Sequence, residues 1–188
     1  MLRIRSVSAS LIILIFVFSG PVQMVGVADH AAQAVLRDAA GNVVGEVSFT
    51  QEGGKVRVQV EAQGLPPGWH GFHVHGVGDC TPPTFTSAGG HFNPAGANHP
   101  QHVGDMPILF VSGDGTAEAT FKTDRFMLAD LFDADGSAII IHANADNYAN
   151  IADRYSSSAM GAPPSGPDAA TLATGDAGGR LACGVVQR

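Results

Sequence analysis

The sequence predicts an all-β domain, a sandwich or barrel of Greek-key type, and three observations carry that prediction. Short runs with period-two alternation of apolar residues recur along the chain. Turn signals AAGN, EGGK, GDG and DADG separate them, and no stretch has a convincing amphipathic helical pattern.

The first segment stands apart from this domain. Arg3 and Arg5 precede the apolar run Leu11 to Phe18, which ends in Ser19, Gly20 and Pro21. A basic start, a short apolar stretch and helix breakers describe a signal peptide over residues 1–28, cut after Ala28 with Gly26 as the second small residue. The apolar run is short for a bilayer span. Residues 29–188 then form one exported domain, with no stable membrane insertion after cleavage and a location in the periplasm, the cell envelope or outside the cell.

Without the leader, 17 acidic residues face 8 basic ones, so the formal charge falls from −7 to −9. The basic residues are sparse and scattered, which argues against a nucleic-acid partner. Cys80 and Cys183 are the only cysteines. An even pair in an exported chain implies one disulfide, whose long loop is worth roughly 4–5 kcal/mol in the chain-entropy model.

Eight runs read as strands: AQAVLRD, VVGEVSFTQ, KVRVQVE, GFHVH, ILFVS, TAEATFKT, SAIIIHA and RLACGVV. The clearest is KVRVQVE, with Val56, Val58 and Val60 on one face and polar groups on the other. Two segments refuse the pattern, Gly76 to Asp105 and Ala143 to Gly179. Loops of that length inside a compact domain are usually functional or disordered. The second carries GAPPSGP, but it joins strands of one sheet system, which disfavours a linker.

The histidines concentrate the chemistry. His73 and His75 flank Val74 in GFHVH, and alternation along a strand sets them on one face, about 7 Å apart at Cα. AGGHFNPAGANHPQHVGDMP adds His91, His99, His102 and Asp105, and the end of AIIIH adds His142. Imidazoles without thiolates suit Zn²⁺ or Cu²⁺. Six histidines exceed the needs of one tetrahedral ion, so the number points to two metals. His70 has the wrong parity to join His73 and His75, and nothing supports a role for His30.

In order, GFHVH, AGGHFNP, HVGD, IIIHANADN and TGDAGGRLACGVV resemble the copper/zinc superoxide dismutases, and specifically their exported bacterial branch. The resemblance covers nearly all of residues 29–188. It implies a flattened eight-stranded Greek-key β-barrel, an immunoglobulin-like sandwich with two long functional loops. It implies copper held by His73, His75, His91 and His142, and zinc held by His91, His99, His102 and Asp105, with His91 bridging the metals. Asp146 would link His73 to His99 and fix their tautomers. Arg180, tethered through Cys183 and Cys80 to the loop after His75, would guide the superoxide anion, since guanidinium is permanently charged with fixed donors. Thr174 would narrow the channel mouth. The implied activity converts superoxide to dioxygen and hydrogen peroxide by Cu²⁺/Cu⁺ cycling, with His91 also delivering a proton.

The chain departs from better-known eukaryotic members in two places. Only Pro100 and Gln101 separate His99 from His102, so zinc is less strongly implied than copper. Ala173 stands where many of those members carry a steering lysine, which leaves Arg180 as the main local cation, with Arg154 as a modest helper. A non-catalytic copper-binding or delivery module is the alternative reading, and such a module would be expected to lack a copper ligand or the arginine. A homodimer is compatible with the strand pattern, which identifies no dimer face.

Overall fold

A computed structural model describes residues 30–149, 167 and 169–188; the expected signal peptide and Arg154 lie outside these. Among these residues nine strands form: β1 (Ala31–Asp38), β2 (Val43–Glu52), β3 (Lys55–Ala62), β4 (Gly68–His70), β5 (Phe72–His75), β6 (Leu109–Val111), β7 (Ala117–Thr123), β8 (Ala138–His142) and β9 (Arg180–Val185). The fold is all-β as expected. The additional strand is β4, three residues set off from β5 by Gly71. A short helix, α1 (Ala169–Thr174), sits in the second long loop where no helix was expected.

Alternation explains the outer strands. Ala32, Ala34 and Leu36 of β1 and Val56, Val58, Val60 and Ala62 of β3 point into the core, while their neighbours face water. Neighbouring antiparallel strands run in the order β5-β8-β9-β1-β2-β3-β7, and β4 pairs with β6 in a separate two-stranded sheet. That small sheet joins the two edges of the large one, because β4 runs straight into the edge strand β5. On the other side, a tight turn at Ser112–Thr116 carries β6 into the edge strand β7. Pairing β4 with β6 therefore draws the two edges of the curled sheet together, while the first long loop covers the β5 edge through its bonds to Val74.

β5 and β8 differ from the outer strands in being buried on both faces. Phe72, Val74, Ile139 and Ile141 fill the main core. On the opposite face, Ala138 and Ile140 join Phe85, Ala88 and Cys183 in a second, smaller cluster. His73 pairs across the ladder with Ile140 and His75 with Ala138, so both histidines stand on this second face. The Cys80–Cys183 disulfide ties the first long loop to β9, which roofs the small cluster. No helix among the described residues is long and apolar enough to cross a membrane.

Candidate metal centre

Strand ladders and loop anchors bring the predicted histidines together. β5 carries His73 and His75, and β8 ends at His142, opposite Arg180 of β9. The first long loop folds back on β5 through paired backbone hydrogen bonds: Phe92 N–H donates to Val74 O (2.8 Å) and Val74 N–H to Gly104 O (2.9 Å). His75 thereby faces His91, and His73 faces Asp105, across isolated bridges. His99 is anchored separately, its N–H donating to Leu172 O of α1 at 2.9 Å.

On one side, His73, His75, His91 and His142 offer four ring nitrogens within 4.8 Å of one another, all buried. The partners of the outer nitrogens decide which lone pairs face inward. His73 Nε2 lies 2.6 Å from Asp146 Oδ2, His75 Nδ1 2.9 Å from Gly89 O, and His142 Nδ1 3.2 Å from Gly178 O. Each partner is an acceptor, so each of these nitrogens carries its proton and donates. Lone pairs remain on His73 Nδ1, His75 Nε2 and His142 Nε2. The last two are 3.3 Å apart, a distance at which two lone pairs repel without a cation between them. His73 Nδ1 and His91 Nε2 are buried with no hydrogen-bond partner. Orphaned, convergent imidazole nitrogens fit a Cu²⁺ or Zn²⁺ ion.

The second side is built around Asp105. His91 Nδ1 is 2.7 Å from Asp105 Oδ1, and His102 Nδ1 is 3.2 Å from both that oxygen and His91 Nδ1. His99 Nδ1 sits 3.0 Å from Asp105 Oδ2 yet makes no hydrogen bond. A ring nitrogen this close to a carboxylate without bonding geometry is aimed elsewhere, and here it converges with the other ring nitrogens near Asp105, as metal ligands do. His73, His91, His99 and Asp105 also offer a mutually close set of ligand atoms. Three nitrogens and one carboxylate suit zinc. His91 thus presents Nδ1 to this side and Nε2 to the other.

Asp146 joins the halves, accepting from His73 Nε2 at 2.6 Å and from His99 Nε2 at 2.8 Å, with the Tyr148 N–H as a third donor at 2.6 Å. Gly175 covers this link at φ +59°, where a methyl group would overlap both Asp146 Oδ1 and His99 Nε2. Only glycine meets both demands.

Proton affinities differ between the halves. Burial pushes His73 down to about 4 against the pull of Asp146, and pushes His142 down to about 3, with His73 adding to the effect. Burial likewise drives His75 well below the ordinary value. On the other side burial also opposes charge, but the carboxylates of Asp105 and Asp146 prevail and raise His99 to about 9. Despite burial, the surrounding histidines hold both carboxyls well below the usual range. Burial lowers His102 on that side as well, so the contrast lies in His99, held as a cation between two anions in the metal-free protein.

Arg180 donates to Phe85 O and, at 2.5 Å, to Gly89 O. Gly89 O is also the acceptor that orients His75. One carbonyl therefore fixes the guanidinium and a ring of the cluster relative to each other. Thr174 closes α1 and is exposed beside Ala173.

Several contributors had no signal in the sequence. The Phe85, Gly89 and Gly178 acceptors are backbone atoms, to which residue identity gives no clue. Tyr148 stacks on His99, with centroids 6.5 Å apart and planes 6° from parallel, and its hydroxyl accepts the Ile108 N–H at 2.7 Å. His70, set aside on parity, is buried with its ring nitrogens 2.7 Å from His142 O and 2.8 Å from Pro66 O. It braces the backbone of His142 and points away from the cluster.

Comparison with known proteins agrees with this chemistry. The family model described as copper/zinc superoxide dismutase (SODC) matches residues 43–186. A protein named superoxide dismutase [Cu-Zn] from Mycobacterium tuberculosis is 43% identical over 159 residues, covering 78% of this chain and 65% of that protein. The chain thus spans somewhat less than two thirds of that relative. One of the same name from Caulobacter vibrioides is 34% identical over 170 residues, covering 84% and 86%. Among solved structures, a double mutant of a SOD-like protein from Bacillus subtilis matches with a TM-score of 0.61 at 31% identity, covering 81% of this chain and 95% of the other.

Proposed function

The chain belongs to the copper/zinc superoxide dismutase family, and on that premise we propose that it is an exported enzyme that disproportionates superoxide. Its cofactors are copper and zinc. Two superoxide anions and two protons become dioxygen and hydrogen peroxide: one anion loses an electron, and the other gains it together with both protons. When bound, copper supplies this one-electron exchange, while zinc keeps a single oxidation state and adds fixed positive charge.

The ligand sets follow the lone pairs. His73 Nδ1, His75 Nε2, His91 Nε2 and His142 Nε2 would hold copper; His91 Nδ1, His99 Nδ1, His102 Nδ1 and Asp105 would hold zinc. His91 Nε2 is where a proton would be held and passed on whenever that nitrogen is not a copper ligand, because the other nitrogen of its ring faces Asp105. Arg180 attracts the anion and orients it beside the copper half through its fixed donors. Local charge governs this step, since the overall negative charge of the chain acts weakly beyond a Debye length of about 8 Å. Asp146 positions His73 and His99, and Thr174 borders the approach. Export is supported by the leader pattern of residues 1–28 and by the Cys80–Cys183 disulfide.

The carrying observation is the buried, unpartnered pair His73 Nδ1 and His91 Nε2 beside an arginine oriented through Gly89 O. The test is superoxide decay catalysed by residues 29–188 loaded with copper and zinc, with Arg180→Ala beside it. We expect a rate constant approaching about 10⁸–10⁹ M⁻¹s⁻¹, lowered roughly 10- to 100-fold in the variant at low salt and unchanged in copper content. Stoichiometric copper with decay no faster than free buffer would instead establish a storage or delivery module.

A further inference from the structure

His102 is held differently from the other cluster histidines. Asp146 meets the outer nitrogens of His73 and His99, Gly89 O that of His75, and Gly178 O that of His142, while His91 faces the cluster with both of its nitrogens. Among the described residues no acceptor meets Nε2 of His102. The backbone around it is also weakly tied: Gln101 N–H donates to Asn98 O and His102 N–H to Asp105 Oδ2, both within the same loop.

Arg125, just beyond β7, supplies what is missing. One terminal nitrogen, Nη1, donates to Pro100 O at 3.0 Å and to His102 O at 2.8 Å, spending its two N–H groups on the carbonyls either side of Gln101. Among the described residues these are the hydrogen bonds that connect Pro100 to His102 with the strands of the barrel. The arginine itself is firmly based, because the adjacent Phe126 and nearby Leu128 are both buried in the main core.

We propose that Arg125 is a positioning residue for the zinc half of the site, clamping the shortened His99–His102 turn from outside so that the His102 ring meets the other donors. The inference rests on the zinc assignment made above. A partner that orients a ligand through its ring typically changes metal affinity 10- to 100-fold. A clamp on the backbone belongs at the lower end, about 10-fold.

The test follows zinc and copper release separately when the fully loaded protein is challenged with a chelator. Cobalt(II) in the zinc position adds a visible absorption band that reports ligand geometry. Arg125→Ala is expected to release zinc about 10-fold faster and copper at the wild-type rate, with an altered cobalt band. Arg125→Lys, which can donate to both carbonyls, restores slow release, and Arg57→Ala, which removes a surface ion pair with Glu52, behaves as wild type. Arg125→Gln replaces the alanine variant if the latter does not fold, with the same expectations. Unchanged zinc release and an unchanged cobalt band in the alanine or glutamine variant overturn the proposal, as does faster release of both metals in parallel, which would mean general loosening. A wild-type protein that takes up copper but no zinc defeats the zinc assignment itself, and the clamp with it.

Discussion

The copper half and the zinc half share His91 and Asp146 but are held in place by different means. On the side assigned to copper, His73, His75 and His142 lie in β5 and β8, whose backbones are paired in ladders and buried on both faces. On the side assigned to zinc, His99, His102 and Asp105 lie in irregular chain, fixed by separate anchors on α1, on β5 and at Arg125. A strand keeps its ligands at set angles whether or not a cation is present, whereas a loop relies on its anchors and on the ion. On the proposed reading, the half that exchanges electrons is thus the rigid one, and the half that does not can be assembled from loop.

Breaking each half separately gives the largest effect. His75→Ala should abolish copper binding and reduce superoxide decay to background while zinc remains; His102→Ala should lose zinc while copper stays. Metal content after dialysis distinguishes them. If both variants lose both metals, the halves are one cooperative unit and the contrast fails.

Asp146→Asn probes the connection. An amide can accept from only one of the two rings and presents a donor to the other, so metal affinity should fall about 10- to 100-fold, more for zinc than for copper. Competitive chelator titrations measure this. Equal losses for the two metals would mean that β5 depends on Asp146 as much as the loop does.

A smaller effect sharpens the electrostatic side of the comparison. In metal-free protein, His73 at about 4 and His142 at about 3 lie below the ordinary value near 6.5. The unfolded chain takes up their protons first, so the stability they support is complete above about pH 6.5 and declines as pH falls toward 4 and 3. His99, at about 9, behaves oppositely: its contribution is complete below about pH 6.5 and is lost as pH rises through 9. Thermal midpoints should therefore drop by several degrees on both sides of a maximum near neutrality, and His99→Gln should flatten the alkaline side alone. An alkaline side that persists in that variant would assign it to another group.

The residues of the cluster were legible in the sequence because their signals are local: residue type, and parity along a strand for His73 and His75. The disulfide followed from two cysteines in an exported chain. The strand count fell one short because β4 has three residues between two glycine-containing breaks, too few for alternation to register. α1, with six residues AATLAT, is too short to display helical periodicity. The carbonyl acceptors that orient His75, His142 and Arg180 are invisible for a deeper reason. Every residue has a carbonyl, and only the path of the chain decides which ones matter. Arg125 belongs to the same class, since its partners are backbone atoms more than twenty positions away.

Gly175 carries a consequence for how this sequence can drift. A side chain there meets the carboxylate and the ring it would have to displace, and its left-handed backbone is costly for any other residue. Neighbouring substitutions offer no escape, because the atoms in the way are the functional ones. A library randomised at this codon and selected for metal retention should return its parent alone, while exposed Ala173 two positions earlier accepts most replacements.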